Sequence, residues 1–133
     1  MNVRDIHGNL SNWSIVGHTT NSIQHKSSYH LNARSVLKKK YPTMQILEEV
    51  PIFPAKSQTM YLDFYIPMIK TCVEVHGEQH YSFTPHYHRD NLAFVKAQKR
   101  DKIKKEWCEI NNIKYIELAY NEQDKWEELI ANN

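Results

Sequence analysis

Apolar and polar positions alternate most clearly between Tyr61 and Tyr81, in YLDFYIPMIKTCVEVHGEQHY. Side chains alternate between faces along a strand. Leu62, Phe64 and Ile66 are therefore expected on one face, and Tyr61, Asp63 and Tyr65 on the other. In the next run Val73, Val75 and Gly77 share a face, and Cys72, Glu74 and His76 take the opposite one. Pro67 to Lys70 suits a four-residue hairpin loop. Such a loop sets Ile66 opposite Thr71 and Asp63 opposite Glu74.

The same reading extends along the chain. Residues 1–28 are polar, with Gly8 and Gly17 as turn signals. They form an arm, an extra hairpin or a lead-in, and NWSIVGHT suits a short strand. Ser27 or Ser28 caps a helix running through Tyr29, Leu31, Ala33, Val36 and Leu37 and ending near Tyr41, before Pro42. MQILEEVPIF reads as a strand that Pro51 and Pro54 turn into an edge or a bulge. Ala55 to Thr59 reads as a loop. His80 to Asp90 is irregular, since Pro85 excludes a regular helix. Asn91 to Asn112 is a long helix, capped by Asn111 and Asn112. IKYIELAY is a further strand, and Asn121 to Asn133 a final helix anchored by Trp126, Leu129 and Ile130. A strand–helix–strand unit between Val73 and Leu118 implies a right-handed crossover and parallel pairing. The hairpin before it is antiparallel. The expected fold is α/β, a mixed central sheet flanked by helices. Residues 1–27 would be an N-terminal arm, and residues 28–133 a single domain.

Composition narrows this picture in a few places. The 133 residues suffice for one core. No apolar run approaches the ~20 residues of a membrane span. The N-terminus has no apolar signal-peptide region. Two distant cysteines, Cys72 and Cys108, exclude a four-thiolate zinc site and are expected as free thiols of a cytoplasmic chain. The net charge of +2 is small, but basic residues cluster at Lys38 to Lys40 and Lys96 to Lys105. Four of the eight histidines crowd between His76 and His88.

The chemistry starts from Asp63 and Glu74. Directly opposed side chains have Cβ atoms about 5 Å apart, and two carboxylates at that distance repel. A divalent cation between them removes the repulsion. A solvated sheet face is the plainer alternative. His76 follows Glu74 on the same face, placed to act as a general base, a proton donor or a phosphate contact. Asp101 falls among Phe94, Ala97 and Cys108 on the long helix, where an acid is costly unless paired or functional. A salt bridge to Lys104 or Lys105 would also account for it. Lys96, Lys99, Arg100, Lys102, Lys104 and Lys105 form either a solvated face or a set of phosphate-backbone contacts. His80, His86 and His88, with Tyr81, Phe83 and Tyr87, suit a loop at the mouth of a site. A zinc site on His86 and His88 does not match a common spacing. No nucleophile elbow, P-loop or dinucleotide fingerprint is present.

LDFYIP, then VEVHGEQHY, then RDKIKKEWCEINNIKYIEL together resemble the PD-(D/E)XK nuclease core. The likeness is to its very-short-patch-repair-like branch and related phage homing endonucleases, and it covers about residues 28–130. The resemblance implies a restriction-endonuclease-like fold and divalent-metal-assisted hydrolysis of a DNA phosphodiester. Asp63 and Glu74 would hold Mg2+ or Mn2+. His76 stands where the general pattern has lysine. His80 matches the histidine after the glycine corner, and Asp101 the helix acid. His30 stands where the first helix often offers an acid, with Glu48 or Glu49 as a compensating group. The basic residues of the long helix would contact DNA. Specificity would require the arm, a homodimer or a recruiting protein. A phage-encoded enzyme would act in the host cytoplasm. The alternative is a protein of the nuclease fold that binds DNA and cleaves nothing.

Overall fold

The computed structural model describes residues 1–19, 27–85 and 87–131. An N-terminal hairpin pairs β1 (Asn2–Arg4) with β2 (Leu10–Asn12). β3 (His18–Thr19) is two residues long. Then follow α1 (Ser28–Lys40), β4 (Leu47–Ala55), β5 (Gln58–Ile66) and β6 (Thr71–His76). The chain closes with α2 (Asn91–Ile110), β7 (Lys114–Ala119) and α3 (Trp126–Ala131). Five strands form one sheet in the order β3-β4-β5-β6-β7. β4, β5 and β6 pair antiparallel, and β6 pairs parallel with β7 across α2. This is the expected α/β architecture with a mixed sheet. No helix among the described residues is long and apolar enough to cross a membrane.

Local chemistry sets the elements. Ser27 caps α1 by accepting the His30 N–H at 3.1 Å, a common satisfaction of an orphan helix donor. Asp90 caps α2 in the same way through the Ala93 N–H. Asn111 closes α2, and its side chain also joins it to the arm. Its Oδ1 accepts the Arg4 N–H at 2.8 Å, and its Nδ2 donates to the Arg4 carbonyl at 2.9 Å. A four-residue connection joins β5 to β6, with Lys70 in the left-handed region (φ 46). Ile66 pairs with Thr71 as the loop length predicts.

The sheet separates two cores. On one face Val50, Ile52, Met60, Leu62, Tyr65 and Cys72 pack against Trp107 and Cys108 of α2 and against Val3 and Trp13 of the arm. On the other, Phe64, Ile66, Val73, Ile116 and Leu118 pack against Ala33 and Leu37 of α1 and Trp126 and Ile130 of α3. The arm is thus a hairpin with two buried anchors.

Two expectations are corrected. Leu62 does not share a face with Phe64 and Ile66; it packs with Tyr65 in the α2-side core. The facing strand changes sides at the same level, where Glu49 takes a left-handed φ of 54. Leu47 and Val50, which flank that residue pair, consequently pack in one core. Ala55 to Thr59 is not a loop either. β4 and β5 are joined by Lys56 and Ser57 alone, with Ser57 at φ 64 supplying the reversal. Pro51 and Pro54 do lie within β4, which borders the sheet except where β3 pairs with Leu47 and Glu48.

Candidate functional site

Asp63 and Glu74 lie one step beyond the last ladder pair of β5 and β6, Phe64 with Val73. Side chains take over from the backbone there. Glu74 Oε2 accepts the Asp63 N–H at 2.6 Å, and Asp63 Oδ2 accepts the Val75 N–H at 2.9 Å. Each carboxylate therefore satisfies a backbone donor of the facing strand. Glu74 is almost fully buried, and Asp63 is half-buried.

The cation beside them comes from α2. Lys104 Nζ donates to Glu74 Oε1 at 2.5 Å. Burial, and then the Asp63 charge, push Glu74 up to about 8. Burial works against the Lys104 charge, but the Glu74 and Asp63 carboxylates outweigh it and hold the ammonium well above its ordinary range. The expected repulsion is therefore real, and a lysine already relieves part of it without metal. This corrects two expectations: Lys104 is not a surface cation of the basic run, and it is not the partner of Asp101. Its signal in the sequence is position: it follows Asp101 by one helical turn, on the same face.

Asp101 instead pairs with His80, whose Nδ1 lies 2.8 Å from Asp101 Oδ2. Burial works to raise the Asp101 carboxyl, yet the His80 hydrogen bond and charge hold it below its usual range. The His80 ring stacks on His76, centroids 4.1 Å apart and planes 5° from parallel. His76 is buried, and burial followed by the His80 charge lowers its pKa. Its Nδ1 faces Glu117 Oε1 at 3.3 Å, and its Nε2 is buried without a hydrogen-bond partner among the described residues. Tyr81 donates its hydroxyl to Glu117 Oε2 at 2.6 Å. Tyr81 belongs to the loop that the sequence places at the mouth of a site, whereas Glu117 carries no role in the sequence reading. Glu117 aligns with Glu74 across the parallel β6–β7 pair, a relation that appears only once that register is known.

Two hollows flank the His80–Asp101 pair. The larger, about 680 Å³, is lined by His76, His80, Tyr81, Lys99, Asp101, Lys102 and Glu117 among others. The smaller, about 290 Å³, includes His80, His88, Arg100, Asp101 and Lys104. Lys99, Arg100 and Lys102 thus edge the site, whereas Lys96 and Lys105 are exposed and line neither hollow.

No family model matches this chain. It is similar to viral proteins. Uncharacterized protein 307L of Invertebrate iridescent virus 6 is 43% identical over 63 residues, 47% of this chain and 32% of that protein. Uncharacterized protein 033L of Invertebrate iridescent virus 3 is 34% identical over 67 residues, 50% of this chain and 34% of that one. Uncharacterized protein 094L of Frog virus 3 is 32% identical over 72 residues, 53% of this chain and 46% of its own length. The chain thus spans between about a third and just under half of the relatives it matches. No solved structure matches.

The remaining histidines are placed elsewhere. His30 does not join Asp63 and Glu74. It lies on α1, stacked on Phe64 at 4.5 Å, and so faces the opposite side of the sheet. There its Nε2 meets Glu48 Oε1 at 2.7 Å, and Arg34 donates to both Glu48 oxygens at 2.8 Å. Glu48 is consumed by this buried trio and does not compensate for a missing acid. His88 is buried and accepts the Thr84 N–H through Nδ1 at 2.9 Å. His86, the other half of the zinc reading, lies outside the described residues.

The Glu48 trio is structural, and its pH signature follows from its geometry. Burial alone would raise Glu48, but the Arg34 and His30 hydrogen bonds hold it below its usual range. A depressed carboxyl contributes stability above its unfolded pKa, and that contribution is lost as pH falls through the folded value. Arg34→Met is expected to cost about 3 kcal/mol at neutral pH. Urea unfolding should show that cost shrinking once Glu48 is protonated in acid.

Proposed function

We propose that this chain is a divalent-metal-dependent DNA endonuclease with a restriction-endonuclease-like core. The observation that carries the reading is the opposed Asp63–Glu74 pair at the break in the β5–β6 ladder, with Lys104 on Glu74 and the His80–Asp101 pair lining a hollow with Lys104 and Arg100. The mixed sheet flanked by helices is compatible with the α/β class that the sequence resemblance implies.

The residues fit a hard cation. Glu74 is held up despite the Lys104 ammonium, by burial first and the Asp63 charge next, so the pair would accept a further positive charge. Hard cations take oxygen donors, and Asp63 and Glu74 would supply them. Bound there, Mg2+ or Mn2+ would polarise a phosphate and provide hydroxide. The protein's own groups divide the other tasks. Asp101 holds His80 with a proton on Nδ1, which makes Nε2 the basic atom able to take a proton from water. Lys99 and Lys102 place positive charge where phosphate oxygens would lie. Lys104 favours the ionised form of Glu74 and orients it.

A plasmid-nicking assay tests this. Cleavage should require Mg2+ or Mn2+, stop with EDTA, and fall about a thousandfold in Asp63→Asn, the several kcal/mol a catalytic metal supplies. Folded protein that cleaves nothing, or an Asp63→Asn variant as active as the parent, would overturn it. One observation favours a second reading, a DNA-binding protein without hydrolysis: both Glu74 oxygens are already engaged by protein groups. That protein would bind DNA with a steep salt dependence and leave it intact.

A further inference from the structure

We propose that His76, His80 and Asp101 form a second cation site, selective for a borderline late first-row ion such as Zn2+ and distinct from the Asp63–Glu74 pair. One ligand atom from each of the three lies within 4.8 Å of the others. Ligands of a tetrahedral zinc ion stand about 3.4 Å apart, from bonds of ~2.0–2.1 Å, so closure is a matter of roughly an ångström.

The outer contacts select the donor atoms. Metal-bound imidazoles usually give their other ring N–H to a carboxylate. Here His76 Nδ1 faces Glu117, which leaves its lone pair on Nε2. His80 Nδ1 and Asp101 Oδ2, 2.8 Å apart, already face each other and supply the other two donors. The Nε2 of His76 is buried and has no partner among the described residues, which costs free energy unless something occupies it. Tyr81 steadies Glu117 through its hydroxyl.

The rings stack nearly parallel, so their in-plane lone pairs do not converge as they stand. His80 lies on the short turn Glu78–His80, and its side chain is 27% exposed. Rotation of that ring about its Cβ–Cγ bond closes the site. His76, locked by burial, stays fixed. Two imidazoles and one carboxylate suit zinc or cobalt and ill suit magnesium. Three protein ligands leave a fourth position open to the 680 Å³ hollow. An ion there takes the Asp101 carboxylate and the Nδ1 that orient the His80 base, so this site would oppose hydrolysis and not support it.

The test is a binding experiment, independent of any cleavage. Metal-stripped protein is titrated with Co2+ and followed by its visible ligand-field absorption and by calorimetry. A saturable cobalt site is expected, displaced by Zn2+ but not by Mg2+. His80→Ala and Asp101→Asn should weaken it at least ~10-fold, with far-UV circular dichroism unchanged. Asp63→Asn should leave it intact. Equal cobalt affinity in His80→Ala and Asp101→Asn, loss of the site in Asp63→Asn, or no saturable binding would each overturn the proposal.

Discussion

Lys104→Met should destabilise the protein by about 3–5 kcal/mol at pH 9, the cost of leaving a buried charge without its partner. Lys104 is the cation that donates to Glu74, and Glu74 is almost fully buried opposite Asp63. Methionine keeps much of the aliphatic stem and removes only the ammonium. The sign of the pH dependence follows from the direction of the shift. Glu74 is raised in the folded protein, so the folded state binds more protons than the unfolded chain between the ordinary carboxyl range and the folded value. Stability therefore falls as pH rises through that window. Without Lys104 the fall runs on to higher pH, and the deficit should narrow below about pH 8, where Glu74 takes a proton. Urea denaturation across pH gives the curve. Added Mn2+ should recover stability in Lys104→Met at high pH if the two carboxylates bind a cation. A deficit independent of both pH and metal would mean the loss comes from packing alone.

Trp13→Ala should cost about 3–5 kcal/mol, the range for removing a large buried aromatic. The ring stands edge-on to Tyr65 at 5.0 Å and to Trp107 at 5.1 Å, and its Nε1 donates to the Pro51 carbonyl at 2.9 Å. One residue of the arm thus touches β4, β5 and α2 together. Trp13→Phe separates the contributions. It keeps an aromatic ring and loses the hydrogen bond, so thermal unfolding should place it about 2 kcal/mol or more above the alanine variant. Equal stability of the two would mean the hydrogen bond, and not the ring, holds the arm.

The order of the elements was legible in the sequence because each rests on local chemistry. Ser27 caps α1, Asn111 ends α2, and the length of the Pro67–Lys70 loop fixes the Asp63–Glu74 register. The same locality explains what was lost. The side switch that separates Leu62 from Phe64 accompanies the positive φ of Glu49 on the neighbouring strand, and no pattern within β5 carries it. Lys104 looks like any member of a basic run until the rotation of α2 over the sheet is known. His30 has a plausible position along the chain, but α1 packs on the other face. The importance of residues 1–19 was hidden because two anchors, Val3 and Trp13, are sparse among polar neighbours.

The arm also bears on how copies of this protein avoid one another. An uncovered border strand is a template for stacking chain upon chain into aggregates. β4 borders the sheet for most of its length, and its Pro51 and Pro54 have no N–H to offer an incoming strand. Their carbonyls are no more available, since Trp13 takes that of Pro51 and the Ile6 N–H takes that of Pro54 at 2.8 Å. At Pro51 and Pro54 the border thus offers no donor and no free carbonyl, so trimming the N-terminus would leave a stickier seam as well as a weaker fold.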